Sequence, residues 1–349
     1  MNALMEKMMK AGSIKDSSVL SDSPYFVERD MVTTDLPILN VAFSGKIDGG
    51  LVPGLTVFAG ASKSFKTMLG LYCMKAYFNK YPDSICLFYD TEFGTPPAYL
   101  DTMGIDTDRI IHIPIEHVEQ LKFDMVKRLS ELKRGDKVFI MVDSLGNLAS
   151  KKEVEDAGEE KSVVDMSRAK AIRSLLRIIT PHLTMKDLPC IIINHVYQTM
   201  EMFSKVVIPG GTAVTYAANQ IFVITKAQEK DNSGEIGGYK FTINIEKSRY
   251  VKEKSKLPFT VYYKSGINRW SGLLDIAIEG GYVAKPKVGW YAKVDRTTGE
   301  VDGKNFRAAD IVDSKEFWLT IFKETDFAAY IKRKYSLDTE GSLVYDEEE

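Results

Sequence analysis

Residues 60–67 read Gly-Ala-Ser-Lys-Ser-Phe-Lys-Thr, one substitution away from a phosphate-binding loop. The usual pattern runs Gly, four residues, then Gly-Lys-Ser/Thr, and here Phe65 stands where the second glycine belongs. In such a loop (Gly60, Ala61, Ser62, Lys63, Ser64, Phe65, Lys66, Thr67), successive backbone N–H groups curl round phosphates at a helix N-terminus. The helix dipole there favours negative charge. Lys66 would add a point charge at the β/γ-phosphates, and the Thr67 hydroxyl would help to hold Mg²⁺. Phe65 subtracts from this: the loop works only if residue 65 keeps an ordinary negative φ and turns its ring away from the phosphates. Alone, the string is open to two readings, a working nucleotide site or a chance polar loop.

Three further strand ends bear on that choice. Asp143 closes the apolar run "VFIMVD", where a carboxylate supporting Mg²⁺ belongs, and Ser144 follows as a hydrogen-bonding partner. Glu92, in "FYDTEFG", lies just past another strand and is suitably placed to orient an attacking water as general base. His195 ends "PCIIINH" and could reach a γ-phosphate. Each alone reads as an ordinary polar strand terminus. Ligands of open parallel sheets bind beyond the carboxyl ends of the strands, so the four together mark a nucleotide site.

The elements that must position these groups follow from the patterning. Continuous apolar strands separated by helices predict an α/β fold, a mostly parallel central sheet flanked by helices. "TMLGLYCMKAYFNK" reads as the helix after the loop. Val118, Leu121, Met125, Leu129 and Leu132 predict a helix closed by Gly135, and Ala169, Ile172, Leu176 and Ile179 the inner stripe of another. After Gly210-Gly211 the pattern changes to "NQIFVITK", "GYKFTINIEKSR" and "LPFTVYY", strands with little helix between them, so the sheet is expected to continue through hairpins, with antiparallel strands added at one side. The expected organisation is an N-terminal segment over 1–30, with Leu4, Met5, Met8 and Met9 as a docking stripe or a frayed end. A core follows over 31–269, then a small α+β C-terminal module over 270–345 and an acidic end over 346–349.

Composition bounds the rest. The 349 residues carry a formal net charge of −2, so nucleic-acid binding would need local basic clusters. Cys73, Cys86 and Cys190 are scattered in apolar runs, which predicts buried thiols in a reducing compartment. The histidines form no metal-binding pattern, and no apolar run reaches membrane-spanning length. A cytoplasmic protein is expected.

Two polar segments could meet a nucleic acid. Residues 147–161, with Lys151 and Lys152, lead into "VVDMSRAKAIRS", which carries Arg168, Lys170 and Arg173. Residues 197–211 place Met202, Phe203 and Lys205 in a loop, an apolar wedge beside a cation as single-stranded DNA requires. The alternative is a solvated helix face and a loop that packs its own Phe. "EKSRYVKEKSK" adds Lys247 and Arg249 at a strand end, which alone reads as a basic surface.

At these residues the chain resembles the RecA family of recombinases, and within it the UvsX-type proteins of T-even-like phages. The resemblance runs from "DLPILNVAFSGKIDGGLVPGLTVFAG" to "GINRWSGLLDIAIEGGYV" and beyond. Its most specific stretches are "GASKSFKT", "LFYDTEFG", "VDSLGNLASKKE", "INHVYQTMEMFSK" and "EKSRYVKEKSK". The Phe inside the phosphate loop is itself a feature of that branch. The resemblance implies a RecA-like ATPase core with ATP and Mg²⁺, Lys66 and Thr67 on the phosphates and metal, Asp143 in the second nucleotide motif, and Glu92 as the catalytic carboxylate. It implies that Tyr99 and Tyr263 flank the base or ribose, and that the two polar segments are DNA-binding loops. It further implies that Lys247 and Arg249 reach the ATP of an adjacent subunit. His195 stands where bacterial members have Gln; both donate to a phosphate oxygen, but histidine titrates near neutrality, so the coupling of ATP to DNA affinity is expected to depend on pH.

The function implied is a helical filament on single-stranded DNA that pairs with homologous duplex and hydrolyses ATP to turn over. Implied partners are a loading mediator and a single-stranded DNA-binding protein. Its rivals are a ring-forming replicative helicase on the same fold, a non-hydrolysing DNA-binding mediator disabled by Phe65, and a small-molecule kinase, for which no acceptor site is evident.

Overall fold

Strands that are apolar without alternation need cover on both faces, and such strands form the middle of the sheet. In the computed structural model, residues 2–14, 16–25, 30–158, 167–198, 206–230, 236–312 and 314–337 are described. β1 (Gly54–Gly60), β2 (Ile85–Asp90), β3 (Ile110–Pro114), β4 (Val138–Asp143) and β5 (Pro189–His195) run parallel, side by side in the order β1-β5-β4-β2-β3. The register aligns Gly60 with His195 and Asp90 with Asp143, so four strand ends reach one edge together. β6 (Tyr197–Gln198) and β7 (Val206–Val207) form a separate antiparallel ladder. β8 (Gln220–Lys230) pairs parallel to the other side of β1, and β9 (Ile236–Lys247), β10 (Lys256–Tyr262) and β11 (Gly266–Ile267) extend the sheet antiparallel to nine strands. On β9 every second residue, Phe241, Ile243 and Ile245, is buried, as strand periodicity requires.

The helices are α1 (Ala3–Ala11), α2 (Pro37–Ser44), α3 (Lys66–Lys80), α4 (Pro97–Thr102), α5 (Val118–Glu131), α6 (Lys151–Gly158), α7 (Ser167–Met185) and α8 (Gly211–Ala217). One sheet face packs α2 and α3 through Phe43, Phe58, Leu69 and Met74. The other packs α5 and α7 through Leu55, Val57, Leu121, Met125, Leu175 and Leu176. All three cysteines are buried and free. The chain divides into two units, Met1–Asp30 and Met31–Glu349. In the first, Asn2 caps α1, and Leu4, Met5, Met8 and Met9 are exposed.

Two local expectations change, and two elements are new. α5 ends at Glu131, and Gly135 serves the turn beyond it with φ +107°. Ala169 is exposed; the inner face of α7 is Ala171, Ile172, Leu175, Leu176, Ile179 and Leu183. The edge strand β3 and the wholly buried α2 are additions.

Beyond β11 come α9 (Leu273–Glu279), β12 (Val283–Lys287), β13 (Trp290–Lys293), β14 (Phe306–Arg307), α10 (Ala308–Val312), α11 (Lys315–Glu324) and α12 (Phe327–Tyr335). Their core is Trp318, fully buried and stacked against Trp270 and Phe327 at centroid distances of 6.4 and 6.3 Å. The acidic end lies outside the described residues. Among the described residues no helix is long and apolar enough to cross a membrane.

Candidate active site at the carboxyl edge of the sheet

β1 runs straight into the loop, and α3 opens at Lys66. The backbone of Phe65 overturns the expected negative φ: it is left-handed, with φ +68° and ψ 12°, and Lys63 is also left-handed at +57°. Left-handed residues on either side of Ser64 suit a backbone concavity that binds anions. The ring resolves the conflict that the side chain creates. It packs on Phe241 of β9 and Phe259 of β10, at centroid distances of 5.3 and 5.8 Å, and those two rings stack on each other. A bulky residue in a conformation that normally selects glycine is held there by contacts from distant strands. Gly60 has no such freedom: an added Cβ would lie 2.6 Å from both Ile224 O and Ser64 Oγ.

Lys66 is buried, and its Nζ donates to Ala61 O at 2.8 Å and to Ser64 Oγ at 3.3 Å. Burial lowers its pKa, opposed by the charges of Glu92 and Asp143. On the outer side of the loop, Lys226 Nζ lies 3.5 and 3.4 Å from Ser62 O and Lys63 O, and 5.4 Å from the Tyr239 ring centroid. No motif signalled Lys226.

Thr67 Oγ1 donates to Asp143 Oδ2 at 2.7 Å. Burial pushes the Asp143 carboxyl up to about 6; the Thr67 hydroxyl opposes the rise, and the charges of Glu92 and Asp90 add to it. Its Oδ1 is buried and accepts no hydrogen bond from the described residues. A buried carboxylate oxygen without a donor is costly, and one beside a threonine hydroxyl suits a hydrated divalent cation such as Mg²⁺. The residues present therefore fit the ion.

Glu92 is held at both ends. Asp90 Oδ1 accepts the backbone N–H groups of Glu92 and Phe93, each at 2.9 Å, which fixes the turn leaving β2. Thr91 Oγ1 accepts the Ser144 N–H at 2.9 Å and ties that turn to the end of β4. At the tip, Glu92 Oε1 receives Ser144 Oγ at 3.0 Å and Asn147 Nδ2 at 3.0 Å, with His195 Nε2 at 2.8 Å. Among the described residues Oε2 accepts no hydrogen bond, which leaves it available to a water. His195 thus faces the carboxylate. Asp90, at the end of β2, and Asn147, in the turn after β4, gave no signal of these roles, although both stand in the motifs "LFYDTEFG" and "VDSLGNLASKKE".

The two tyrosines expected to flank the base, Tyr99 and Tyr263, are exposed. The Tyr99 hydroxyl meets Met68 Sδ on the first turn of α3. Tyr263 packs edge-on to Tyr239, centroid distance 5.9 Å.

The expected cations divide into two groups. Lys151, Lys152, Lys170, Arg173 and Arg249 are exposed, with Lys151 also 3.5 Å from Glu155. Two are committed inward. Arg168 donates to Leu148 O at 2.6 Å and Gly146 O at 2.7 Å. Lys247 Nζ donates to Thr215 O at 2.6 Å and Ala218 O at 2.7 Å, capping the C-terminal end of α8, where a cation is favoured. Met202, Phe203 and Lys205 lie outside the described residues.

A family model described as the RecA N-terminal domain matches residues 6–268, and one described as the C-terminal domain of the bacteriophage T4 recombination and repair protein matches residues 270–331. The recombination and repair protein of Enterobacteria phage T4 is 50% identical over 341 residues, covering 97% of this chain and 87% of that one. Protein RecA of Tropheryma whipplei is 27% identical over 293 residues (80% and 64% of the two chains), and protein RecA of Streptomyces rimosus 26% over 292 (83% and 74%). With a core and a C-terminal part each matched, and half the residues shared with the T4 protein, the chain belongs to the RecA family, in its UvsX-type phage branch.

Proposed function

We propose that this chain is an ATP-dependent recombinase: it polymerises head to tail on single-stranded DNA, pairs that strand with homologous duplex, and hydrolyses ATP to turn over. The observation that carries the catalytic reading is Glu92, with Oε1 fixed by Ser144, Asn147 and His195 and Oε2 left for a water. The match to the T4 recombination and repair protein, over core and C-terminal module alike, carries the strand-exchange reading.

In this mechanism Lys66 leaves Ala61 O and Ser64 Oγ to meet the β/γ-phosphates of ATP, which the N–H groups of 62–67 cradle. Thr67 and, through water, Asp143 would hold Mg²⁺, which when bound neutralises phosphate charge. Glu92 orients the attacking water and takes its proton at Oε2. Tyr99 and Tyr263 flank the base. Lys151, Lys152, Lys170 and Arg173 meet DNA phosphates, while Met202, Phe203 and Lys205 supply stacking and charge; base pairing carries the sequence information. Arg249 reaches the neighbouring subunit's nucleotide, and Lys247 joins it on releasing α8. Residues 1–30 dock on an adjacent subunit through the α1 stripe. A loading mediator and a single-stranded DNA-binding protein are further partners, in the cytoplasm of a host cell.

The test is ATP hydrolysis and strand exchange with and without single-stranded DNA, with electron microscopy of the assemblies. DNA-stimulated turnover, joint molecules and open filaments are expected. Closed hexamers without filaments would point to a helicase, and absent turnover to a non-hydrolysing mediator.

A further inference from the structure

Arg168 looks like a DNA contact in the sequence, yet its guanidinium points into the protein. The two carbonyls it binds, Gly146 O and Leu148 O, bracket Asn147, and Asn147 donates to Glu92 Oε1. Ser144, the second donor to that oxygen, immediately precedes the same turn, Leu145–Asn147. The opposite side of the turn is closed. A Cβ added to Gly146 would lie 2.9 Å from Asn194 Oδ1 and 3.1 Å from His195 N. The turn is therefore clamped between the start of α7 and the end of β5, and Asn147 within it and Ser144 just before it are two of the three groups that fix Glu92.

We propose that Arg168 is a positioning residue for hydrolysis. It holds the 145–147 turn so that Ser144 and Asn147 keep Glu92 in place, and it ties the catalytic carboxylate to the first turn of α7. Lys170 and Arg173 are exposed on that helix, two and five residues further on. Phosphates bound there pull on the element that Arg168 anchors, so DNA binding and the position of Glu92 share one mechanical link. Arginine suits the task because its planar fork satisfies two carbonyls at once, whereas a lysine ammonium is a point donor on a flexible stem. The inference rests on the proposed function and deepens it by naming how the site is regulated.

A phosphate-contact role for Arg168 gives the opposite expectations, so one set of measurements separates the two. Arg168→Ala, Arg168→Lys and Gly146→Ala are compared with wild type for kcat and KM of ATP hydrolysis at saturating single-stranded DNA. DNA affinity is measured across a salt series, and thermal unfolding confirms folding. Positioning predicts that Arg168→Ala lowers kcat about tenfold or more, with KM for ATP, DNA affinity and its salt slope unchanged. Arg168→Lys recovers part of that loss, and Gly146→Ala, which displaces the turn from its other side, reproduces it. If instead kcat holds while the salt slope falls by about 1, Arg168 is a phosphate contact and the proposal is overturned. An unchanged kcat in folded Gly146→Ala also overturns it. Wild-type protein that shows no DNA-stimulated hydrolysis would sink the proposed function itself, before any variant is compared.

Discussion

Replacing Phe65 by the glycine that phosphate loops usually carry should weaken this protein, and the size of the effect can be worked out from two opposing terms. A side chain in the left-handed region costs about 1–2 kcal/mol, and at φ +68° Phe65 bears that cost. Truncating a fully buried Phe loses about 3–5 kcal/mol; Phe65 is half-buried on Phe241 and Phe259, so roughly 2 kcal/mol is at stake. Phe65→Gly loses the ring and regains the backbone term, for a net loss of about 1 kcal/mol. Phe65→Ala loses the ring and keeps the strain, for about 2 kcal/mol. The expected order is therefore wild type, then Gly, then Ala, a reversal of the usual preference for alanine over glycine. Urea unfolding of the nucleotide-free variants reads this from the midpoints, provided the slopes agree. Alanine matching or exceeding glycine would refute the left-handed backbone. A Phe65→Gly protein more stable than wild type would refute the ring as the anchor.

Other perturbations test the remaining parts of the site. Asp143→Asn should stabilise the nucleotide-free protein at pH 8 by up to about 3 kcal/mol, because burial raises the carboxyl from 3.8 to about 6. A raised carboxyl pKa means that the folded form binds the proton more tightly, so the ionised group costs stability above pH 6. The advantage of Asn should shrink as pH falls through 6, and an equal advantage at pH 8 and pH 5 would contradict this; turnover should be lost throughout. His195→Gln can still donate to Glu92 Oε1 and should keep kcat within about threefold, whereas His195→Leu, which cannot, should lose about tenfold in steady-state assays. Lys247→Ala uncaps α8 and should lower the thermal midpoint of isolated subunits by a loss of about 1 kcal/mol. Arg249→Ala should leave that midpoint unchanged, and both should lower ATPase in filaments; wild-type subunits that rescue mixed filaments would support action in trans.

The parallel sheet was legible because its central strands carry no alternation, and the site because the phosphate-loop pattern, Glu92, Asp143 and His195 each stand at or just past the end of such a strand. What escaped was decided by non-local partners. "IIHIP" is a short edge strand with Ile111 exposed, too weak a pattern to stand out, and α2 is buried all round, Asn40 and Ser44 included, and has no stripe to detect. The sign of φ at Phe65 depends on rings more than 170 residues away in sequence. Arg168 and Lys247 have the composition of nucleic-acid or phosphate contacts, yet carbonyls of their own chain engage them, and no local pattern records that. Asn147 lies in a quoted motif, but its role needed the geometry of the turn.

The central claim is that Glu92, held at one oxygen by Ser144, Asn147 and His195, activates the water that cleaves ATP. Steady-state hydrolysis by Glu92→Gln on saturating single-stranded DNA tests it most directly. Turnover should fall by about 10²-fold or more, with ATP-dependent filaments still forming on DNA. Turnover at the wild-type rate would remove Glu92 from the reaction.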